Sequence, residues 1–168
     1  VQQEMIDAAL FWLDKGVDGF RLDAAKYLEA YGEVSTSTQP ITSSLNKLAY
    51  FEYKLEEQYP DVYISGEVWS SFSEMKLFYQ SMDSVLNFET GPSILKVLNS
   101  RTASSYVTDR VSEYEQIKAI DIEAIDAPFL YNHDQDRLAS IVSGDMRKLK
   151  LAAEMLLTLE GNPHLYYG

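Results

Sequence analysis

Apolar residues near the start of the chain recur at helical spacing. Met5, Ile6, Ala9, Leu10 and Leu13 form one stripe, with Gly16 as a stop. "VDGFRLD" then reads as a strand. A polar stretch, "VSTSTQPITSS", leads to a helix carrying Leu45, Leu48, Ala49, Glu52, Leu55 and Tyr59 on one broad face, ended by Pro60. "VYISGEVW" is the next strand. "SSFSEMKLFYQS" follows as a helix, with Ser71 and Glu74 spaced as a capping box. "SVLNF" is a short third strand. "GPSILKVLNS" starts a helix with Pro92 in its first turn, and a further helical stretch covers roughly residues 105–119. "APFLYNHD" is a fourth strand. A long helix, from about Asp145 to Glu160, buries Leu149, Ala152, Ala153, Leu156 and Leu159; Gly161 ends it, and Pro163 opens a last strand, "HLYYG".

Five strands, each preceded by a helix, predict a parallel α/β architecture in one domain. Three strands end in ionisable residues: Asp23, Glu67 and Asp134. In a (β/α)8 barrel such ends converge on one site, whereas a doubly wound sheet relies on a Gly-rich phosphate loop, which this sequence lacks. The barrel fits better, although five strands cannot close one. Either three barrel strands are missing or the fold is an open partial barrel, in one domain over residues 1–168. Both ends read as cuts in a longer polypeptide, so a targeting signal would lie outside this sequence.

Charge narrows the partners. The 168 residues carry a formal net charge of −12, which disfavours nucleic acid and anionic lipid and suits a neutral substrate. No run approaches the roughly 20 apolar residues of a membrane span. Cysteine is absent, which removes disulfides and thiolate metal sites.

Alternation puts Arg21 and Asp23 on one strand face, with Phe20 and Leu22 toward the helices. A guanidinium beside a carboxylate favours its ionised form, and an ionised aspartate suits attack on carbon. The pair reads equally as a structural ion pair. Glu67 follows Gly66, which leaves room for an approaching molecule, and Trp69 offers an apolar wall that would raise the Glu67 pKa, as a general acid requires. Alone, Glu67 also reads as a cap for the next helix. "NHDQDR" groups Asn132, His133, Asp134, Asp136 and Arg137. His133 and Asp134 suggest a metal site, but the other histidine, His164, is expected at the opposite end of a parallel barrel as a structural residue. A serine triad lacks its GxSxG elbow. Three converging carboxylates, one anionic and one acidic, point to glycoside hydrolysis, and the aromatic residues could stack on sugar faces.

"GFRLDAAKY", "GEVW" and "FLYNHD", in this order, resemble three signatures of the α-amylase family, glycoside hydrolase family 13. "MDSVLNFE" resembles its sixth strand, and "LLTLEGNPHLYYG" its seventh helix and eighth strand, so the resemblance implies a portion of its TIM (β/α)8 barrel, about strands 4–8 without strands 1–3. The resemblance implies retaining cleavage of α-1,4-glucosidic bonds in starch-like α-glucans. By position, Asp23 would be the nucleophile, Glu67 the general acid/base and Asp134 the third carboxylate. Arg21 and His133 would serve Asp23 and the same sugar. Lys26, Tyr27 and Trp69 would line the leaving-group side, and Arg137 is a further substrate-binding candidate. No organic cofactor is implied. A structural Ca²⁺ would belong to the full-length protein, with no ligand assigned in this chain. The missing barrel strands would come from the rest of the polypeptide or another chain, and an extracellular or cell-surface location is expected. An α-glucosidase, a glucan transferase or isomerase of the same family, and a non-catalytic carbohydrate-binding or partner protein on this scaffold stay open. The style of "ISGEVW", "NHDQDR" and "GNPHLYYG" is similar to bacterial extracellular α-amylases.

Overall fold

The computed structural model describes residues 1–28 and 39–167, so residues 34–38 of the polar stretch, and Gly168, lie outside the described residues, while 39–44 of that stretch already belong to the second helix. Helix α1 (Gln2–Leu13) leads to strand β1 (Gly19–Leu22). Helix α2 (Gln39–Glu56) leads to β2 (Tyr63–Gly66), and α3 (Phe72–Met75), continued by a 3-10 stretch over Lys76–Gln80, leads to β3 (Ser84–Asn87). Helices α4 (Thr90–Ser100) and α5 (Tyr106–Lys118) precede β4 (Ile125–Pro128), and α6 (Leu138–Ile141) and α7 (Met146–Leu157) follow it. The four strands form one parallel sheet in the order β1-β2-β3-β4.

Helix stripes and strand alternation explain the packing. Ile6, Ala9 and Leu13 of α1 and Leu48 and Leu55 of α2 join Ile64, Phe78, Tyr79 and Val85 in one buried cluster, with Phe20 and Leu22 packed against it as alternation predicts. Burying each such aliphatic side chain contributes about 1.5–3 kcal/mol. A second cluster seats Ile94 and Leu98 of α4 against Leu138, Val142, Ala152 and Leu156. Asp145 starts α7 by accepting from the Arg147 and Lys148 backbone N–H groups.

Four expectations need correction. The last segment is not a full strand. It makes one parallel bridge, Phe129 to His164, with the His164 N–H donating to the Pro128 carbonyl at 2.8 Å. No neighbour on its far side extends that bridge into a ladder among the described residues. The strand expected at "APFLYNHD" begins earlier and ends at Pro128, so Asn132, His133 and Asp134 lie beyond it in a turn. There the Asn132 side-chain carbonyl accepts from the Asp134 N–H at 3.0 Å, so strand alternation no longer governs them. The capping box does not form: Ser71 makes no cap bond, and Glu74 turns to Lys26 and Ser70. Finally, Gly66 leaves no room for a ligand, because the Met82 side chain fills the space that its missing Cβ vacates.

Candidate active site

Asp23 and Glu67 directly follow the last residues of β1 and β2, whose paired register, Leu22 to Gly66, sets them side by side. The Glu67 N–H donates to the Leu22 carbonyl at 2.9 Å, and the Ala25 N–H to the Glu67 carbonyl at 2.9 Å, so backbone bonds continue the pairing past the strand ends. Arg21 sits two residues before Asp23, on the same face. Its guanidinium forks: one nitrogen reaches the Asp23 carboxylate at 2.8 Å, and the other pairs with Glu67. The rigid planar donor set of arginine makes that double contact possible. The charges of Asp23 and Asp134 also act on Glu67. The three carboxylates expected from sequence therefore come together at one end of the sheet.

Their environments differ. The Glu67 side chain is 12% exposed, and that of Asp23 is 77% exposed. Burial raises the Glu67 pKa above the ordinary carboxylate range. Arg21 opposes that rise, and the Asp23 and Asp134 charges add to it. A buried Glu67 with its pKa raised, beside an open Asp23, gives the cluster two carboxyl groups in unlike environments.

Around this centre, the His133 Nε2 lies 3.3 Å from Asp134, and the imidazole packs against the Tyr166 ring at 5.0 Å. Trp69 is half exposed and stacks on Phe88 at 4.9 Å, and Phe88 meets Phe129 edge-on. Tyr27 is exposed on the short 3-10 turn after Asp23. Lys26, on the same turn, is held by Glu74 at 2.7 Å and Ser70 at 3.0 Å. Arg137 stacks 4.4 Å over the Tyr167 ring.

A cavity of about 270 Å³ adjoins the cluster, lined by Arg21, Phe129, His133, His164 and Tyr166 among others. This overturns the placement of His164 at the far end. Its bridge partner, Phe129, comes after the end of β4, so this register carries the start of the last segment to the carboxylate end of the sheet. Burial and the neighbouring Arg21 charge lower the His164 pKa. His164, Phe88 and the aromatic role of Tyr166 escaped the sequence reading; only that register could have revealed them. Among the described residues, no three histidine, aspartate or glutamate side chains are grouped to hold a metal ion.

The family model described as "Alpha amylase, catalytic domain" matches residues 1–168. Alpha-amylase 3 of Dictyoglomus thermophilum is 34% identical over 168 residues, covering all of this chain and 32% of that protein. A cyclomaltodextrin glucanotransferase of Bacillus sp. is 32% identical over 173 residues, covering all of this chain and 22% of that protein. The solved structure of Eubacterium rectale Amy13B superposes with a TM-score of 0.87 at 36% identity, over all of this chain and 33% of that one. The chain thus spans a third or less of the length of these relatives, and its open parallel sheet corresponds to part of a TIM barrel.

Proposed function

This chain belongs to the α-amylase catalytic-domain family, a group of glycoside hydrolases and related transferases, and from that premise we propose that its parent protein cleaves α-1,4-glucosidic bonds in starch-like α-glucans with retention. The observation that supports this reading is the Arg21 fork, which holds Asp23 and Glu67 together at adjacent strand ends. Two carboxylates bonded to the two ends of one guanidinium lie close together, which suits a retaining pair, spaced at about 5–5.5 Å, better than an inverting pair at roughly 6.5–9.5 Å.

In this reading the Asp23 carboxylate attacks the anomeric carbon. The bond to the leaving oxygen breaks, and Glu67 gives that oxygen its proton. Glu67, now ionised, then takes a proton from water. The water oxygen attacks the same carbon and frees Asp23. Asp134 and His133 grip hydroxyls of the sugar being transferred. Trp69, Tyr27, Lys26 and Arg137 line the approach of the chain. Missing barrel strands, supplied by the rest of the polypeptide or another chain, complete the site, and an extracellular or cell-surface setting fits a polymeric substrate.

The test separates the two steps in the full-length protein. Glu67→Gln should cut starch hydrolysis by about 10²–10⁴-fold. It should largely spare the first step on an aryl α-glucoside, whose leaving group needs no proton, so that glycosyl-enzyme accumulates. Equal loss on both substrates would remove Glu67 from the acid role. The similarity to a glucanotransferase favours a second reading, in which a sugar hydroxyl replaces water in the second step. Product analysis on starch and on short maltooligosaccharides distinguishes the two.

A further inference from the structure

A second cavity, of about 610 Å³, opens between α5 and α7, away from the carboxylate cluster. It shares no lining residue with the cavity beside Arg21, and its back wall includes Asp126, near the start of β4, whereas Asp23 and Glu67 follow the ends of their strands. A smaller hollow of about 330 Å³ adjoins it, and Tyr106, Arg110 and Glu113 line both. These three residues carry an unusual feature. Arg110 Nη2 pairs with Glu113, yet Arg110 Nε, Glu113 Oε2 and the Tyr106 hydroxyl are buried without a hydrogen-bond partner among the described residues. Buried polar atoms nearly always find a partner, so three orphans around one cavity indicate that something fills it.

Their chemistry restricts what that is. The Nε–H is a donor, the carboxylate oxygen is an acceptor, and the tyrosine hydroxyl can be either. Among the described residues, Arg110 is the one cation in a lining that also carries Glu113, Glu115, Asp126 and Glu160, so the site disfavours an anion. Burial raises the Glu113 pKa to about 7 against the pull of Arg110, which further disfavours an added negative charge nearby. Val107, Met155 and Leu159 supply an apolar wall on the same cavity. Hydroxyls that both donate and accept, set on a compact carbon skeleton, satisfy all of these features. The volume falls in the range of small-molecule sites, roughly 300–1,000 Å³.

We propose that the cavity between α5 and α7 is a second binding site, for a small neutral polyhydroxylated molecule such as a mono- or disaccharide. The site does not depend on the hydrolytic reading of the carboxylate cluster, and its test is independent of turnover. In the full-length protein, titration with glucose should shift the ¹³C-methyl NMR signal of Met155 in a saturable way. Tyr106→Phe, which removes one orphan hydroxyl without changing volume, should weaken that binding about 5–10-fold. Val107→Trp, at an exposed position on the mouth, should abolish it while leaving glucan hydrolysis unchanged. Inorganic phosphate should leave the signal unmoved. A Met155 signal indifferent to glucose would overturn the proposal and leave the cavity to water. So would a phosphate response of equal size, or unaltered glucose binding in Tyr106→Phe.

Discussion

Arg21 is a single residue with two obligations, and its substitution tests both. Arg21→Met removes the fork that holds Asp23 and Glu67, and we expect kcat/KM of the full-length protein to fall by about 10²-fold or more, the scale for a misplaced catalytic group. It also removes the charge that opposes protonation of Glu67. The Glu67 pKa should therefore rise further, and the alkaline limb of the kcat/KM profile should move to higher pH. A limb that moves down, or stays in place, would mean that another group titrates there. Arg21 and Asp23 were legible because strand alternation fixes side-chain direction two residues apart. His164 was not, because its neighbour is set by the register between distant segments, which local pattern does not encode.

Elements meet through glycines and through buried charge. A Cβ on Gly19 would strike the Tyr63 backbone carbonyl across the β1–β2 pair, while one on Gly66 would strike the end of the Met82 side chain. A thioether can swing aside, and a paired backbone cannot. Gly19→Ala should therefore cost at least about 1–3 kcal/mol and lower the melting temperature more than Gly66→Ala does. Helix α2 carries a second test. Burial first, then the Asp83 and Glu56 carboxylates, raise Glu52 to a pKa of about 7. Folding then takes up a proton between the ordinary glutamate pKa and about 7, so this group makes stability fall as pH rises through that window. Glu52→Gln should flatten that part of the stability–pH curve, which chemical denaturation at several pH values would measure; an unchanged slope would clear Glu52 of the effect. The helical stripes of α1, α2 and α7 follow a 3.6-residue period that carries Ile6, Ala9, Leu13, Leu48, Leu55, Ala152 and Leu156 into the core, whereas Met5, read as part of the first stripe, is exposed. Strand β4 was misplaced because a continuous apolar run does not show where pairing begins.

At the scale of the molecule, the sheet is open. Among the described residues β1 pairs only with β2, and the last segment makes a single bridge. Unpaired strand edges are templates for association. Phe11 and Trp12, both half exposed on α1, add apolar surface. The isolated 168-residue chain should self-associate on size-exclusion chromatography with light scattering and should not hydrolyse starch. A monomeric chain with turnover that disappears in Glu67→Gln would refute both expectations.

The sequence by itself determined the parallel α/β class, most of the helix faces, and the side-by-side placing of Asp23 and Glu67, because period and strand-end position are local properties that parallel pairing carries to one end of a sheet. Only the tertiary structure decided which groups share Arg21, what fills the space at Gly66, and where His164 lies. It alone revealed that Tyr106, Arg110 and Glu113 surround a cavity with unmet hydrogen bonds. Those facts depend on register and on side-chain volumes from segments far apart in the chain, and no window along the sequence contains both partners.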